Sequence, residues 1–331
     1  MLHTHGRDPF LNKTPAAVAV INGFGKSVGL VQVEELGVLE TPIALTNTFS
    51  TGLVATAQIR QAIARHREIG REWPTVNPLV FECNDGYLND LHAFAVQPEH
   101  YDLACANAAV QFAQGAVGAG RGMSSFAMKG GIGSASRCVQ LAGDSGGFTV
   151  GALVLSNFGR LPNLMVAGRP LGRRICDMGG VNKGSDAASA AGSGSAADSQ
   201  EPEKGSIIMI LATDAPLDSR QLGRLAKRAG AGLARTGSVY GHGSGDIALA
   251  FTTAYQIPSE ADQAMPMQAM VHENRIDPLF EAAAEATEQA IVNALWAAET
   301  VHGRDGHQRR AITELLPDWA HFFDHKNSDN S

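Results

Sequence analysis

The chain has 331 residues, 44% hydrophobic and 18% charged, enough apolar material for one large or two ordinary domains with a substantial core. Lys and Arg number 26 against 33 Asp and Glu, a formal charge of -7, which argues against nucleic acid as a partner. No apolar run approaches the ~18 residues of a membrane span and the opening Met1-Leu2-His3-Thr4-His5 has no apolar signal-like core, so no membrane partner and a cytoplasmic location are expected.

In chain order, residues 16–21 and 28–33 read as two short strands joined by a hairpin turn at Asn22-Gly23-Phe24-Gly25. A third strand is expected over 43–49. From 54 to 66 the apolar positions Ala55, Ile59, Ala62 and Ile63 recur at helical spacing, which places an amphipathic helix beside a sheet. Residues 78–87, Pro-Leu-Val-Phe-Glu-Cys-Asn-Asp-Gly-Tyr, read as an apolar strand running into a polar turn, either a surface turn or a place for active-site groups.

A small-residue helix is expected over 100–118. Gly115, Gly118, Gly120, Gly122, Gly130, Gly131 and Gly133 follow without spelling a phosphate-binding motif, so close backbone packing is the better account. Strands are expected at 136–140 and 148–155. Asn157 ends the second, either as a turn former or as an oxyanion-hole amide. Cys83, Cys105, Cys138 and Cys176 lie far apart with no CxxC pair, which fits buried free thiols; no metal is expected.

Residues 179–204 are mostly Gly, Ala, Ser, Asp, Glu and Lys, too poor in apolar side chains to offset the entropy of ordering. Gly205-Ser206 then opens the continuous apolar run Ile207-Ile208-Met209-Ile210-Leu211, the pattern of a strand covered on both faces. A flexible tether meeting a core strand at Gly-Ser is either a plain linker or a cleavage point. The Ser206 hydroxyl can attack the Gly205 carbonyl, and glycine tolerates the strained backbone this needs. Hydrolysis of the resulting ester would leave Ser206 with a nucleophilic oxygen and an α-amine of pKa about 7.7–8.0, a suitable base.

Asp214-Ala215-Pro216 is expected to open a helix with Leu222, Leu225, Ala226, Ala229 and Leu233 on one face, weakened at its end by Gly230 and Gly232. The polar loop from Ser238 leads into a strand at 247–253, and an extended backbone would aim Ser244 and Asp246 the same way. A last long helix is expected with Asp277 as N-cap and Pro278 at its first position.

Several of these stretches, in order, resemble one family, the DmpA/BapA-like aminopeptidases of the L-aminopeptidase/D-esterase and β-aminopeptidase group. The resemblance is carried by residues 82–90 (ECNDGYLND), 129–137 (KGGIGSASR), 150–154 (VGALV), Asn157-Phe158-Gly159, Gly205-Ser206, 212–216 (ATDAP), 241–246 (GHGSGD) and 277–282 (DPLFEA). It implies a single αββα sandwich domain over 1–331, like that of the ornithine acetyltransferases. It also implies a precursor cut into an α-chain, 1–205, and a β-chain, 206–331.

Its activity would be hydrolysis of peptides, amides or esters with a free amine, without a cofactor, by a tetramer of cleaved heterodimers. By position, Ser206 matches the nucleophile, Asn157 an oxyanion donor, and Ser244 with Asp246 the support of the nucleophile. Tyr87 matches a second oxyanion donor and Glu82 the carboxylate that holds the substrate ammonium. The rival expectations are an acyltransferase of the ornithine acetyltransferase type, a serine hydrolase with His242 as base, and a non-catalytic interaction protein.

Overall fold

The computed structural model describes residues 1–141, 146–178 and 204–323. Its first elements are β1 (Asn12–Gly23), α1 (Leu30–Leu36), β2 (Val38–Leu39), β3 (Ile43–Asn47), α2 (Thr51–Arg65), β4 (Leu79–Cys83) and α3 (Pro98–Ala106). Next come β5 (Ser124–Ser125), β6 (Met128–Lys129), β7 (Gly131–Gln140), β8 (Gly147–Asn157), α4 (Leu171–Asp177), β9 (Lys204–Thr213), α5 (Ser219–Arg235) and β10 (Gly243–Thr252). The described chain closes with β11 (Ile257–Pro258), α6 (Asp277–Trp296), β12 (Val301–His302), β13 (Gln308–Arg309), α7 (Ile312–Leu315) and α8 (Trp319–Phe323).

The main sheet runs β11-β1-β10-β9-β8-β7, with β2 paired to β1. Its middle strand, β9, is parallel to β10 and antiparallel to β8. Alternation along β9 serves two cores: Ile207, Met209 and Leu211 join the cluster under α5 and α6, while Ile208 and Ile210 join the cluster between the sheets. The second sheet is the parallel pair β3-β4, whose Ile43, Leu79 and Phe81 face the main sheet. Ala44 and Val80 turn the other way, to Val54, Ala55 and Ala57 of α2 and Tyr101 of α3. The layers are therefore helix, sheet, sheet and helix, the αββα sandwich that the resemblance implies.

The layers come close where side chains are smallest. A Cβ on Gly133 of β7 would stand 1.9 Å from the Ala290 carbonyl of α6, and one on Gly232 of α5 would stand 2.3 Å from the Ala284 carbonyl. Gly230 and Gly232 therefore do not end α5, which runs to Arg235; Gly232 lets α6 cross it, and Gly230 faces Ile21 of β1 and Tyr240. Leu222, Leu225 and Leu233 are fully buried in the same cluster, and truncating one to Ala would cost about 2–5 kcal/mol.

Several expectations change. Residues 28–33 are no strand: Gly29 sits at φ 95, packed on the Pro78 carbonyl, and starts α1, leaving Val28 as a single bridge to Val80. The long antiparallel partner of β1 is β10, far along the chain, with only two-residue pairings to β2 and β11. The helix expected over 100–118 is the shorter α3, in which only Tyr101 is buried; residues 107–113 are exposed, Val110 at 98%, and the chain returns to the core only at Gly115 and Ala116.

The start of α5 is set by Asp218 and not by Asp214, because Asp218 and Gln221 bond each other's backbone N–H in a capping box. Asp214 instead accepts from Thr149 N–H at 2.7 Å. At α6 the cap position is Ile276, and Asp277 is the first helical residue. Of the four free thiols, Cys83 is buried, but Cys138 and Cys176 are exposed. The tether expected at 179–204 lies outside the described residues except for Lys204, whose backbone already pairs in β9. Among the described residues, no helix is long and apolar enough to cross a membrane.

Candidate active site

Ser206 is the third residue of β9, between two different neighbours. In the antiparallel ladder it stands opposite Asn157, the last residue of β8, and in the parallel ladder it stands beside Gly245 of β10. Cross-strand partners share a face of the sheet, so the Asn157 and Ser206 side chains project together. Both are buried, Ser206 at 5% and Asn157 at 6% exposure. Ser206 Oγ accepts a hydrogen bond from Gly245 N–H at 3.2 Å. A Cβ on Gly205 would lie 2.3 Å from the Asn157 carbonyl oxygen, so only glycine fits before this serine.

The Asn157 carboxamide is held at both ends. Oδ1 accepts from Ser124 N–H at 2.8 Å, and Nδ2 donates one hydrogen to the Asn84 carbonyl at 2.9 Å. That fixes the amide orientation and leaves a second Nδ2 hydrogen for a ligand oxygen.

Ser244 and Asp246 are brought together as expected, with Ser244 Oγ donating to Asp246 Oδ1 at 2.5 Å. Both are buried. Their face is the surprise. Ile247 faces the second sheet and Ala248 the helices, so alternation turns Ser244 and Asp246 to the helix side, behind Gly245. The pair backs the strand whose Gly245 N–H reaches Ser206. Asn22 steadies the same loop, its Nδ2 donating to the carbonyls of Gly241 at 3.0 Å and of Ser244.

Glu82 is buried in β4, with both oxygens engaged: Oε1 accepts from Lys26 N–H at 2.7 Å, and Oε2 accepts from the Thr48 hydroxyl. It lies near the serine side, since a Cβ on Gly25 would be 3.4 Å from Glu82 Oε1 and 3.9 Å from Gly245 Cα. Tyr87 follows Asn84 in the same turn. Its ring stacks on His307 with centroids 4.6 Å apart, and the Arg309 guanidinium lies 3.5 Å from its centroid. The contacts described for Tyr87 tie it to the C-terminal segment, and it joins the group around Ser206 through the turn it shares with Asn84. His242 is exposed, its ring tilted against Phe24, which gives no geometric support to a His242 base.

Burial shapes the charges nearby. The Cys83 thiol is pushed well up by burial, with the Glu82, Asp246 and Asp85 carboxylates adding to the effect, so it stays protonated and is no nucleophile. Burial raises the Asp85 carboxyl above the usual carboxylate range, against opposing bonds from Asn89 and Asn47. Burial pulls the Lys129 ammonium down to about 7; Arg121 adds to the pull, while Asp85 and Glu299 oppose it. Among the described residues, no group of His, Cys, Asp and Glu could hold a metal ion.

The sequence reading missed Gly245 N–H, Ser124 N–H, Lys26 and Thr48. The glycine spacing of residues 241–246 hints at the first. Lys26 and Thr48 meet Glu82 across 56 and 34 residues, and no local pattern announces them.

Known proteins match the chain along most of its length. Residues 1–309 match the family model of Peptidase family S58. The chain is 41% identical over 301 residues to the β-peptidyl aminopeptidase BapA of Sphingosinicella microcystinivorans, covering 89% of this chain and 72% of that protein. The structure of a Pyrococcus horikoshii OT3 protein, PH0078, is similar with a TM-score of 0.85 at 45% identity, covering 97% of this chain and 84% of that one. The L-aminopeptidase D-Ala-esterase/amidase of Ochrobactrum anthropi, described as a prototype serine aminopeptidase with a variant Ntn hydrolase fold, has a TM-score of 0.79 at 33% identity. That match covers 93% of this chain and 82% of the other. The acyltransferase expectation gains no support from these matches. The chain therefore belongs to peptidase family S58 and is an aminopeptidase built on an N-terminal-nucleophile fold.

Proposed function

We propose that the chain is a precursor that cuts itself between Gly205 and Ser206, then uses Ser206 to release N-terminal residues, β-amino acids included, from short peptides and amides. The observation that carries this reading is the placement of Ser206 between the Asn157 carboxamide and Gly245 N–H, with glycine sterically required before it. The β-amino acid element comes from the name of the Sphingosinicella relative.

In the first stage Ser206 Oγ attacks the Gly205 carbonyl carbon, and the Gly205–Ser206 C–N bond breaks to give an ester and a free α-amine. Water hydrolyses the ester, leaving an α-chain of 1–205 and a β-chain of 206–331. In the second stage that amine takes the Oγ proton as Oγ attacks the substrate carbonyl, and Asn157 Nδ2–H donates to the oxyanion. The proton passes to the leaving amine, and water then releases the acyl group and restores Ser206. Tyr87 is assigned the second oxyanion donor, and Ser244 with Asp246 the support of the strand behind Gly245.

Glu82 anchors the substrate ammonium. Its two oxygens carry one described donor each, which leaves acceptor capacity, and a buried carboxylate is stabilised by a cationic partner. The working form in this reading is a cytoplasmic homo-oligomer of cleaved heterodimers, which light scattering and cell fractionation would check.

The test combines two measurements. Denaturing electrophoresis of active protein should show two fragments, the smaller reading Ser206-Ile207-Ile208-Met209 at its N-terminus. Free aminoacyl and β-aminoacyl amides should be hydrolysed and their N-acetylated forms should not, with Glu82→Gln slowing the free substrates. Active protein in a single uncut chain would remove the mechanism, and equal rates on free and acetylated substrates would remove the role of Glu82.

A further inference from the structure

Lys129 is fully buried in the glycine-rich stretch, and the chemistry above gives it no part. Taking an ammonium out of water is costly unless its hydrogens are all bonded. Here they are. Nζ donates to the carbonyls of Gly120 at 2.8 Å, Met123 at 2.6 Å and Gly130 at 2.7 Å. The ladder of β5 and β6 sets Lys129 opposite Ser124, and Lys129 N–H bonds the Arg310 carbonyl at 2.9 Å.

One of those three carbonyls belongs to a peptide that also touches the site. The Met123 C=O and the Ser124 N–H are the two ends of one planar peptide unit, and that N–H is the donor to Asn157 Oδ1 at 2.8 Å. An unbroken row of dipoles thus runs from Lys129 Nζ through a single peptide to the Asn157 carboxamide. A cation on a carbonyl draws density toward the oxygen and strengthens the N–H at the other end as a donor. A stronger donor on Oδ1 does the same to Asn157 Nδ2–H. Loop closure alone would not require the charge, since Gly130 N–H already bonds the Met123 carbonyl at 3.1 Å.

We propose that Lys129 is a positioning residue for acyl transfer at Ser206: it holds and polarises the Met123–Ser124 peptide, which fixes the Asn157 carboxamide with Nδ2–H toward the developing oxyanion. This rests on the reading of Asn157 as an oxyanion donor.

A kinetic double-mutant cycle tests it, using the full chain as wild type, Lys129→Met, Asn157→Ala and the double variant on a free aminoacyl anilide at pH 6, below the value of about 7 to which burial pulls Lys129, so that it carries its charge. Rates are normalised to the protein carrying a free Ser206 N-terminus, counted by intact mass. Where a variant stays uncut, the rate of cutting on denaturing gels takes the place of kcat in the cycle. Lys129→Met should lower kcat about tenfold with KM changed less than about twofold, and should change kcat less than about twofold once Asn157 is already Ala. Equal fold losses in both backgrounds would mean that Lys129 supports the loop at large, and would overturn the proposal. So would an unchanged kcat in Lys129→Met.

Normal turnover by Asn157→Ala is a different failure: it removes the oxyanion reading and this proposal with it. If Lys129→Met does not fold, Lys129→Gln, which keeps N–H donors without the charge, runs through the same cycle and must show the same coupling.

Discussion

The two flanks of Ser206 are built differently. On the β10 side the contact is part of a regular parallel ladder: Gly243, Ser244, Gly245 and Asp246 pair in order with Lys204, Gly205, Ser206 and Ile207. On the β8 side the ladder ends at Asn157, and everything beyond it is loop. The Asn84 carbonyl and Tyr87 come from one turn and Ser124 N–H from the short β5-β6 ladder, both tied down by the C-terminal segment. Arg304 Nε donates to the Gly86 carbonyl at 2.9 Å, Arg304 N–H to Leu88 at 2.8 Å, and His307 Nδ1 bonds the Tyr87 carbonyl at 2.7 Å. The proposed nucleophile thus stands in a regular ladder, while the proposed oxyanion side is assembled from a turn and a two-residue ladder that long-range contacts must hold. Substitutions on the two sides should therefore fail in different ways.

The largest effect is expected at the ladder itself. Ser206→Ala should give one intact chain with no turnover above background, because a methyl group can neither attack Gly205 nor carry an acyl group. Its fold should be unchanged by circular dichroism, since the ladder needs only the backbone. Ser206→Cys should still cut itself, visible as two bands on a denaturing gel. An active Ser206→Ala preparation would place the nucleophile elsewhere.

Next in size is the loop side. Asn157→Ala should lower kcat on the order of 10² to 10³, the cost of one oxyanion donor, with the protein folded and KM little changed. Near-normal turnover would make Asn157 a strand-end residue only. Ser244→Ala should cost less, below about a hundredfold, because its side chain turns to the helix side and acts on Ser206 only through the position of Gly245 N–H. A loss equal to that of Asn157→Ala would place Ser244 in direct contact with the reacting atoms.

What was legible in the sequence follows the same division. The apolar period of α5 and the unbroken run of β9 specify their faces locally; Asn157 was legible as the last residue of an apolar strand, and Ser206 because a polar, low-complexity sequence gives way there to an apolar run. The segment 24–36 misled because Gly29 is fixed by the Pro78 carbonyl, a contact across the fold that overrides the strand-like composition of residues 28–33. The start of α5 misled because two aspartates competed for one cap, and only Asp218 has a glutamine three residues on. Lys129 gave no sign of its burial, since its acceptors are backbone carbonyls and any sequence could supply them.

The smallest effect concerns stability on the loop side. Asp85 is buried in the turn between Asn84 and Tyr87, and its carboxyl is held above the usual carboxylate range chiefly by loss of solvent. As pH climbs from the ordinary aspartate value, the unfolded chain releases this proton first and the folded chain keeps it. Stability therefore falls across that window, and the full cost of the buried charge is present above it. Asp85→Asn removes the titration while keeping the shape, so it should raise Tm at pH 7 by on the order of a few degrees and flatten the acid side of the Tm profile relative to wild type. A Tm that falls at pH 7 would show instead that the charged Asp85, attracted by the Lys129 ammonium, stabilises the turn. The loop side would then be held by an ion pair as well as by hydrogen bonds.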